Sequence, residues 1–279
     1  MAKRGALFGA IVLLAVFAAP AFAESVQVRG SSIFLPVVEH LAERYMSANP
    51  GSRVIVSGGG SWWGFKTVFD ETAALGMVSS DIIPEDLDEE LKDSGKELRR
   101  HPFAQFAVVP VVHSSNPVSG LSLAQLHDIY VGRITNWKEV GGASASIHVV
   151  AAEDVGSGIF QVWATKVLGE GAVATPSARE VAAVEMRGAV ARDPLAIGYE
   201  AVGRVSSGIK PLKIGGIEAK EDSLADGRWP ISGTIALIYF EPLSASAKSF
   251  FDYCLGEAGR AEVGAIHGAF IAAPAEEAR

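Results

Sequence analysis

The chain has 279 residues, with 24 Lys and Arg against 32 Asp and Glu, a formal net charge of −8 and one cysteine. This acidic balance disfavours binding to nucleic acid or to an anionic membrane surface, although a local site can still attract a small anion. A single cysteine excludes an intramolecular disulfide. Cys254 lies in an apolar stretch, 250–255, which predicts a buried and unreactive thiol. The length suits one large domain or two lobes of ordinary size.

The first 23 residues have the pattern of a secretory signal peptide. Lys3 and Arg4 form a basic start, residues 6–19 are apolar, and Ala21-Phe22-Ala23 is a small-x-small cleavage site. The apolar run is too short for a membrane span, and no later stretch of the sequence is long and apolar enough for one. We therefore expect cleavage before Glu24 and a periplasmic or secreted location. No lipid anchor is expected, because no cysteine lies near the cleavage site.

Predicted strands alternate with predicted helices along most of the remaining chain. In the first half, the predicted strands are 26–28, 53–57, 74–80 and 103–113, and the predicted helices are 34–47, 64–71 and 84–91. In the second half, the predicted strands are 147–151, 196–199, 209–214 and 235–240, and the predicted helices are 121–131, 157–168, 181–191, 245–255 and 258–267. This alternation predicts an α/β fold with mostly parallel sheets.

Turns rich in glycine and serine follow three of these strands and precede helices. They are Gly30-Ser31-Ser32, Gly58-Gly59-Gly60-Ser61 and Gly156-Ser157-Gly158. Free N–H groups at a helix start attract anions and ligand oxygens, and parallel sheets bind ligands at the carboxyl ends of their strands. A single turn of this kind is often an ordinary strand-to-helix connection. Three together predict one ligand held between helix starts.

Residues 121–142, LSLAQLHDIYVGRITNWKEVGG, resemble the phosphate-type periplasmic solute-binding proteins of ABC transporters. The three Gly/Ser turns, the segment 193–199 and the segment 229–232 match the same family in the same order, over essentially all of the mature chain. The resemblance implies a type II periplasmic-binding-protein fold with two lobes, each a mostly parallel sheet flanked by helices. It places residues 24–107 and 204–279 in one lobe and 108–203 in the other. The strands through Val108 and Tyr199 would form a two-strand hinge beside an inter-lobe cleft.

The resemblance also implies a ligand site in that cleft, without enzymatic activity, metal or cofactor. A monomer is expected, with a small phosphate-like oxyanion or another oxygen-rich solute as ligand and an ABC permease or a sensor as partner. Serine hydroxyls and neighbouring backbone N–H groups would hold the ligand. The implied site positions are Ser31, Ser32, Ile33, Gly60, Ser61, Trp62, Ser79, Ser80, Glu153, Gly156, Ser157, Gly158 and Ile159.

Several of these positions depart from the family pattern. Glu153 stands where the family has an arginine that pairs with phosphate, and Ile33 and Ile159 stand where threonine is usual. Trp62 and Trp63 replace small residues, an acid-bearing motif is replaced by residues 73–76, and Ser80 stands where an arginine is frequent. Losing a guanidinium removes a charge-assisted donor, worth about 1.5–3 kcal/mol per hydrogen bond. We therefore predict weak phosphate binding, unless Glu153 points to solvent or is neutralised by a basic residue. Trp62 and Trp63 are either core aromatics or, in one case, a wall of the cleft.

Two alternatives remain open at the level of the sequence. The chain could be a sensing, adhesion or partner-binding module that kept the fold and lost tight phosphate binding. It could also be a hydrolase acting through Ser157, although that serine is not in a G-x-S-x-G elbow. The six histidines show no metal-binding spacing.

Overall fold

The computed structural model of the protein describes residues 25–79, 83–152, 157–169, 172–265 and 270–272. The signal peptide predicted for residues 1–23 lies outside these residues. The strands are β1 (Val26–Gly30), β2 (Val54–Gly58), β3 (Leu75–Val78), β4 (Leu98–His113), β5 (Gly120–Leu121), β6 (His148–Ala152), β7 (Arg179–Val181), β8 (Ala196–Ala201), β9 (Ile209–Pro211), β10 (Lys213–Ile214), β11 (Ser232–Phe240) and β12 (Phe270–Ala272).

The α-helices are α1 (Leu35–Ala48), α2 (Ser61–Phe69), α3 (Glu85–Ser94), α4 (Leu123–Tyr130), α5 (Gly158–Trp163), α6 (Met186–Ala191), α7 (Glu221–Ala225), α8 (Ala245–Leu255) and α9 (Glu257–Ala265). A π-helical turn, Ala164–Leu168, extends α5. Short 3₁₀ turns occupy Trp137–Val140, Ala183–Glu185 and Val202–Arg204.

One continuous path of strands runs in the order β2-β1-β3-β11-β4-β8-β6-β7. The 16-residue strand β4 belongs to both halves of this path. Between Leu98 and Ala107 it pairs antiparallel with β11, and between Val108 and Val112 it pairs antiparallel with β8. Strands β9 and β12 also pair with β4, whereas β5 and β10 form a separate parallel pair.

The outer strands of each half run parallel, β1 with β2 and β3 on one side and β6 with β7 and β8 on the other. Parallel neighbours finish at the same edge of a sheet, so Gly30, Gly58 and Val78 end side by side. The predicted Gly/Ser turns after β1 and β2 therefore lie at one edge, as the α/β prediction requires. The α/β class is confirmed.

Helix α1 and helix α2 bury apolar residues against different parts of the core. The buried residues of α1 recur at helical spacing and join the large core: Val37, Val38, Leu41, Ala42 and Tyr45. Phe65, Val68 and Phe69 of α2 join a smaller core with β3 and β11. Full burial of such a side chain contributes about 1.5–3 kcal/mol. Cys254 of α8 is buried, as predicted, and burial raises the pKa of its thiol.

Several predicted elements have different bounds in the structure. The strand predicted at 103–113 begins at Leu98, and the helix predicted at 64–71 begins at Ser61. The strand predicted at 209–214 is divided into β9 and β10, because β9 pairs with β4 while β10 pairs with β5. The helix predicted at 181–191 is shorter, and β7 ends at Val181 where that helix was expected to begin. Strands β5, β7 and β12 and helix α7 were not predicted.

Candidate functional site

Three serine hydroxyls meet where β1, β2 and β3 end. Ser31 follows β1, Ser61 begins α2 after β2, and Ser79 follows β3. The Oγ atom of Ser79 lies 3.0 Å from the Oγ of Ser31 and 3.0 Å from the Oγ of Ser61. The N–H of Ser79 also donates to the Oγ of Ser61 at 2.9 Å. All three residues are buried, and their mutual hydrogen bonds offset the cost of burying hydroxyls. We call this trio the serine cluster.

The backbone around the cluster depends on Gly30. Its φ of +140° is a conformation that side-chain-bearing residues rarely adopt. A Cβ atom there would lie 2.0 Å from the carbonyl oxygen of Met77. That carbonyl accepts a hydrogen bond from the N–H of Ser31 at 2.8 Å, and the carbonyl of Gly30 accepts one from the N–H of Gly60 at 3.0 Å. Glycine at this position therefore lets the ends of β1, β2 and β3 come close enough to bring the hydroxyls together.

The start of α5 closes over the cluster from the other half of the sheet. A Cβ atom built on Gly158 would lie 1.8 Å from the Oγ of Ser79 and 3.0 Å from its carbonyl oxygen. Gly158 is the first residue of α5 and is itself buried. Ser157 occupies the N-cap position, where its side chain makes no capping hydrogen bond, and it is half-buried. The start of α5 therefore lies against Ser79 of the serine cluster.

This arrangement offers neutral hydrogen-bond donors to a small ligand. Serine hydroxyls both donate and accept hydrogen bonds, and the first N–H groups of a helix lack partners within that helix. Helix α2 begins at Ser61 and α5 begins at Gly158, so two helix starts face the cluster. Their partial positive charge favours an anion or an oxygen-rich group. The site is chemically suited to an oxyanion.

The side chains of Ile33 and Ile159 do not line this site. Both are buried, with 7% and 6% of their surface exposed, and both pack in the large core. An apolar side chain gains more from such a core than from contact with a polar ligand. Their backbone N–H groups remain at the starts of α1 and α5. The predicted site residues Ser80, Glu153 and Gly156 lie outside the described residues.

Ser32 and the two tryptophans lie at the outer side of the cluster. Ser32 is exposed, and its Oγ accepts a hydrogen bond from the N–H of Gly59 at 3.1 Å. Trp62 and Trp63 are both exposed, so the alternative that they are core aromatics is wrong. Their rings stack on each other, with centroids 5.9 Å apart. Both belong to the first turn of α2, directly after Ser61.

An aromatic group that was not predicted supports the α5 side of the site. The ring of Tyr199 in β8 stacks on the ring of Trp163 in α5, with centroids 4.3 Å apart. The N–H of Ala152, the last residue of β6, donates to the hydroxyl of Tyr199 at 3.1 Å. Tyr199 therefore holds both the strand that ends before Ser157 and the helix that begins after it. Burial raises the pKa of its hydroxyl, which stays protonated.

A buried carboxylate adjoins this aromatic group on β8. Glu200 is only 2% exposed. The Nε atoms of Arg187 and Arg204 lie 3.5 Å and 3.6 Å from its carboxylate oxygens. Burial raises the pKa of Glu200, and the two arginines oppose that rise. The sequence signal was the position of Glu200, the one acid in the apolar run 196–201. Glutamate is rarely buried unless it is paired, so this position indicates a buried charge with a partner.

Two other kinds of site are absent from the described residues. Those residues contain no group of three or more His, Cys, Asp or Glu able to hold a metal ion. Within the same ranges, no helix is long and apolar enough to span a membrane. The histidines described have partners away from Ser157: Glu262 for His40, Tyr239 for His101, Ser115 for His113, the carbonyl of Val167 for His127 and Asp193 for His148.

Comparison with known families identifies the class of this protein. The family model of the PBP superfamily domain matches residues 16–258. The chain therefore belongs to the PBP superfamily, and its α/β architecture is the type II periplasmic-binding-protein fold that the resemblance implied.

Individual relatives are phosphate-binding proteins. Phosphate-binding protein PstS of Bacillus subtilis is 29% identical over 84% of this chain and 76% of its own length. A Clostridium perfringens structure, described as a phosphate ABC transporter substrate-binding protein with bound phosphate, is 30% identical with a TM-score of 0.79. It covers 90% of this chain and all of its own. An ABC-type phosphate transport receptor from Vibrio cholerae has the same fold, with 24% identity, a TM-score of 0.71 and the same coverage.

Proposed function

We propose that this protein binds a phosphate-like oxyanion in the serine cluster and delivers it to an ABC permease. The observation that carries the proposal is the buried cluster of Ser31, Ser61 and Ser79, closed by the start of α5. A site made only of hydroxyls and helix starts suits an oxyanion better than a metal or a cationic solute. The relatives named above are phosphate-binding proteins of transporters, which supports the same assignment. They give no support to the non-transport alternative or to a hydrolase.

We further propose that the chain closes as two lobes about β4 and β8. One lobe would contain residues 24–107 and 204–279, and the other would contain residues 108–203. The export signal would be cleaved after Ala23. Support comes from β4, which pairs with β11 in one half and with β8 in the other. Strand β9 pairs with residues 111–113 of β4, and β10 pairs with β5. We therefore propose to move the second boundary of these lobes from residue 203 to Ile214.

Removing a cluster hydroxyl tests the proposed site. We expect isothermal titration at pH 7.5 to give saturable binding of inorganic phosphate that Ser61→Ala weakens at least tenfold, since a hydrogen bond to a charged group is worth about 1.5–3 kcal/mol. Ser94→Ala is the matched control, because the hydroxyl of Ser94 is exposed at the end of α3. No saturable binding of phosphate or sulfate at millimolar concentration, or unchanged affinity in Ser61→Ala, would contradict the proposal.

The charge of Glu153 gives a second test. A carboxylate 4 Å from an anion opposes it by about 4 kcal/mol at an effective dielectric constant near 20. We therefore expect wild-type phosphate affinity to be weak, with a Kd above about 100 μM, which is about −5.5 kcal/mol. Glu153→Arg should strengthen it at least tenfold, or about 1.4 kcal/mol. The measurement is titration of both proteins.

The controls for that test separate charge from position. Glu153→Gln removes the charge without adding a cation and should give an intermediate affinity. Glu185→Arg makes the same charge change at an exposed position, in the 3₁₀ turn that precedes α6. It should leave the affinity for phosphate unchanged. Combining Glu153→Arg with Ile159→Thr, which the family pattern suggested, is not expected to help, because the side chain of Ile159 lies in the core. Submicromolar phosphate binding by the wild type would show that Glu153 does not oppose the ligand.

A further inference from the structure

Two large aromatic side chains are left on the surface beside the proposed site. Among the described residues, the large hydrophobic side chains that are exposed are Trp62 at 42%, Trp63 at 39%, and two valines, Val173 and Val184, that do not belong to the site. Adjacent residues of a helix point about 100° apart, so their side chains do not normally meet. The two indole rings nevertheless stack, with an interplanar angle of 23°. We call them the tryptophan pair.

A line of contacts joins the tryptophan pair to the serine cluster. A Cβ atom built on Gly59 would lie 2.7 Å from Cδ1 of Trp63, so the indole rests against that glycine. The N–H of Gly59 donates to the hydroxyl of Ser32, and Ser32 follows the buried Ser31. Burial falls along this line, from Ser31 inside to Ser32 and the tryptophans outside. The tryptophan pair therefore lies on the solvent side of the serine cluster and is joined to it through Gly59 and Ser32.

Inorganic phosphate has no surface on which the tryptophan pair can stack. It carries no apolar or planar surface, whereas an indole face offers stacking area and contributes mainly through contact with such surfaces. Exposed apolar rings beside a polar site are a feature of sites whose ligand has both kinds of surface. The apolar or planar surface that stacks on the rings is best explained as a group attached to the oxyanion. The rings adjoin the cluster through Gly59 and Ser32, so one ligand can contact both.

We propose that the ligand of this protein is a phosphate monoester with a planar or aromatic substituent. Its phosphate group lies in the serine cluster, and its substituent stacks on Trp62 and Trp63. This assignment rests on the proposed oxyanion site and specifies the chemical class that the site selects.

Three phosphate compounds test the proposal by isothermal titration: inorganic phosphate, methyl phosphate and phenyl phosphate. We expect the wild type to bind phenyl phosphate at least tenfold more tightly than methyl phosphate. The variant Trp62→Ala/Trp63→Ala should bring that ratio close to one. Trp63→Phe should keep most of the preference, because it keeps an aromatic face. Val184→Ala, which removes another exposed apolar side chain, is the matched control and should keep it entirely.

The possible results separate this inference from the proposed function. Equal affinities for methyl and phenyl phosphate in the wild type, or a preference that persists in the double alanine variant, would overturn the ester proposal while oxyanion binding stands. That result would leave the tryptophan pair as a surface for a protein partner. Failure of all three compounds to bind would overturn both proposals. Circular dichroism and the thermal midpoint verify that each variant is folded. We expect all of them to fold, because the substituted side chains are exposed.

Discussion

Replacing Gly158 with alanine should lower the affinity for inorganic phosphate at least 100-fold, or about 2.7 kcal/mol. The new Cβ would lie 1.8 Å from the Oγ of Ser79, 2.6 Å from its Cβ and 3.0 Å from its carbonyl oxygen. A rotamer change at Ser79 moves only the first of these atoms, so α5 must withdraw from the cluster. Titration should show the loss of affinity. In small-angle scattering, saturating phosphate should lower the radius of gyration of the wild type, because the proposed lobes close on the ligand, and should leave that of Gly158→Ala unchanged.

The same substitution should not destabilise α5, because alanine is a better helix former than glycine by about 1 kcal/mol. Loss of binding with unchanged or higher stability is therefore the diagnostic result. Gly188→Ala in α6 is the matched control, since a Cβ there meets only the flexible end of Arg192. Adding Ser79→Gly to Gly158→Ala removes the clashing side chain and should restore part of the scattering change. Wild-type affinity in Gly158→Ala would mean that α5 does not close on Ser79 when the ligand is bound.

The strands and the order of the site segments were predictable because they follow from local patterns. The β-branched runs around Val28 and Ile55 and the glycines after them indicate strands that end in turns. Their parallel pairing brings the turns to one edge. What the patterns do not contain is which atoms meet there. The hydrogen bonds of Ser79 to Ser31 and Ser61 join residues 48 and 18 positions apart, and they depend on the register of three strands.

The start of α2 was misplaced because of Gly64. A glycine before an apolar periodic segment is typical of a helix boundary, yet Gly64 lies inside α2. A Cβ there would be 2.5 Å from the carbonyl of Met77 and 3.2 Å from the Cα of Gly30. Close packing of α2 on β1 and β3 therefore requires glycine within the helix. This long-range contact also places Trp62 and Trp63 on a helix rather than in a loop.

The start of β4 at Leu98 was not predicted, because the residues near that start do not follow a strand pattern. Arg99, Arg100 and Pro102 interrupt the apolar pattern, and proline removes a donor from the ladder. The ladder with β11 is irregular at this point: Ile235 pairs with Ala104 and Ala236 pairs with Pro102, so β4 carries Phe103 as an extra residue beside the proline. The sequence pattern does not show where β4 takes up this extra residue, because the pairing is set with β11, about 130 residues further along the chain. The extended β4 is nevertheless what connects the two halves of the sheet.

Removing both arginines beside Glu200 should lower the free energy of unfolding by about 3–5 kcal/mol at pH 8, the range for leaving a buried charge without its partners. The change is Arg187→Gln with Arg204→Gln, measured by urea unfolding. Without the arginines, the hydrogen bond from the N–H of Ala201 is left to oppose burial, so the pKa of Glu200 rises further. The folded variant then takes up a proton more readily than the unfolded chain. Its stability is retained below the ordinary pKa of glutamate and is lost as the pH rises through the raised folded value.

The deficit should therefore be much smaller at pH 5 than at pH 8, and adding Glu200→Gln should restore most of the stability at pH 8, because the neutral amide needs no counter-charge. Arg133→Gln is the matched control: Arg133 is 70% exposed and pairs with Asp128 at 3.0 Å, and such a surface pair is worth less than about 1 kcal/mol. A deficit that is equal at both pH values, or one that Glu200→Gln does not relieve, would mean that the arginines stabilise β8 by packing rather than by charge. The strand pair β4–β8 would then be stabilised by its apolar residues. Glu200 would be protonated and uncharged even in the wild type.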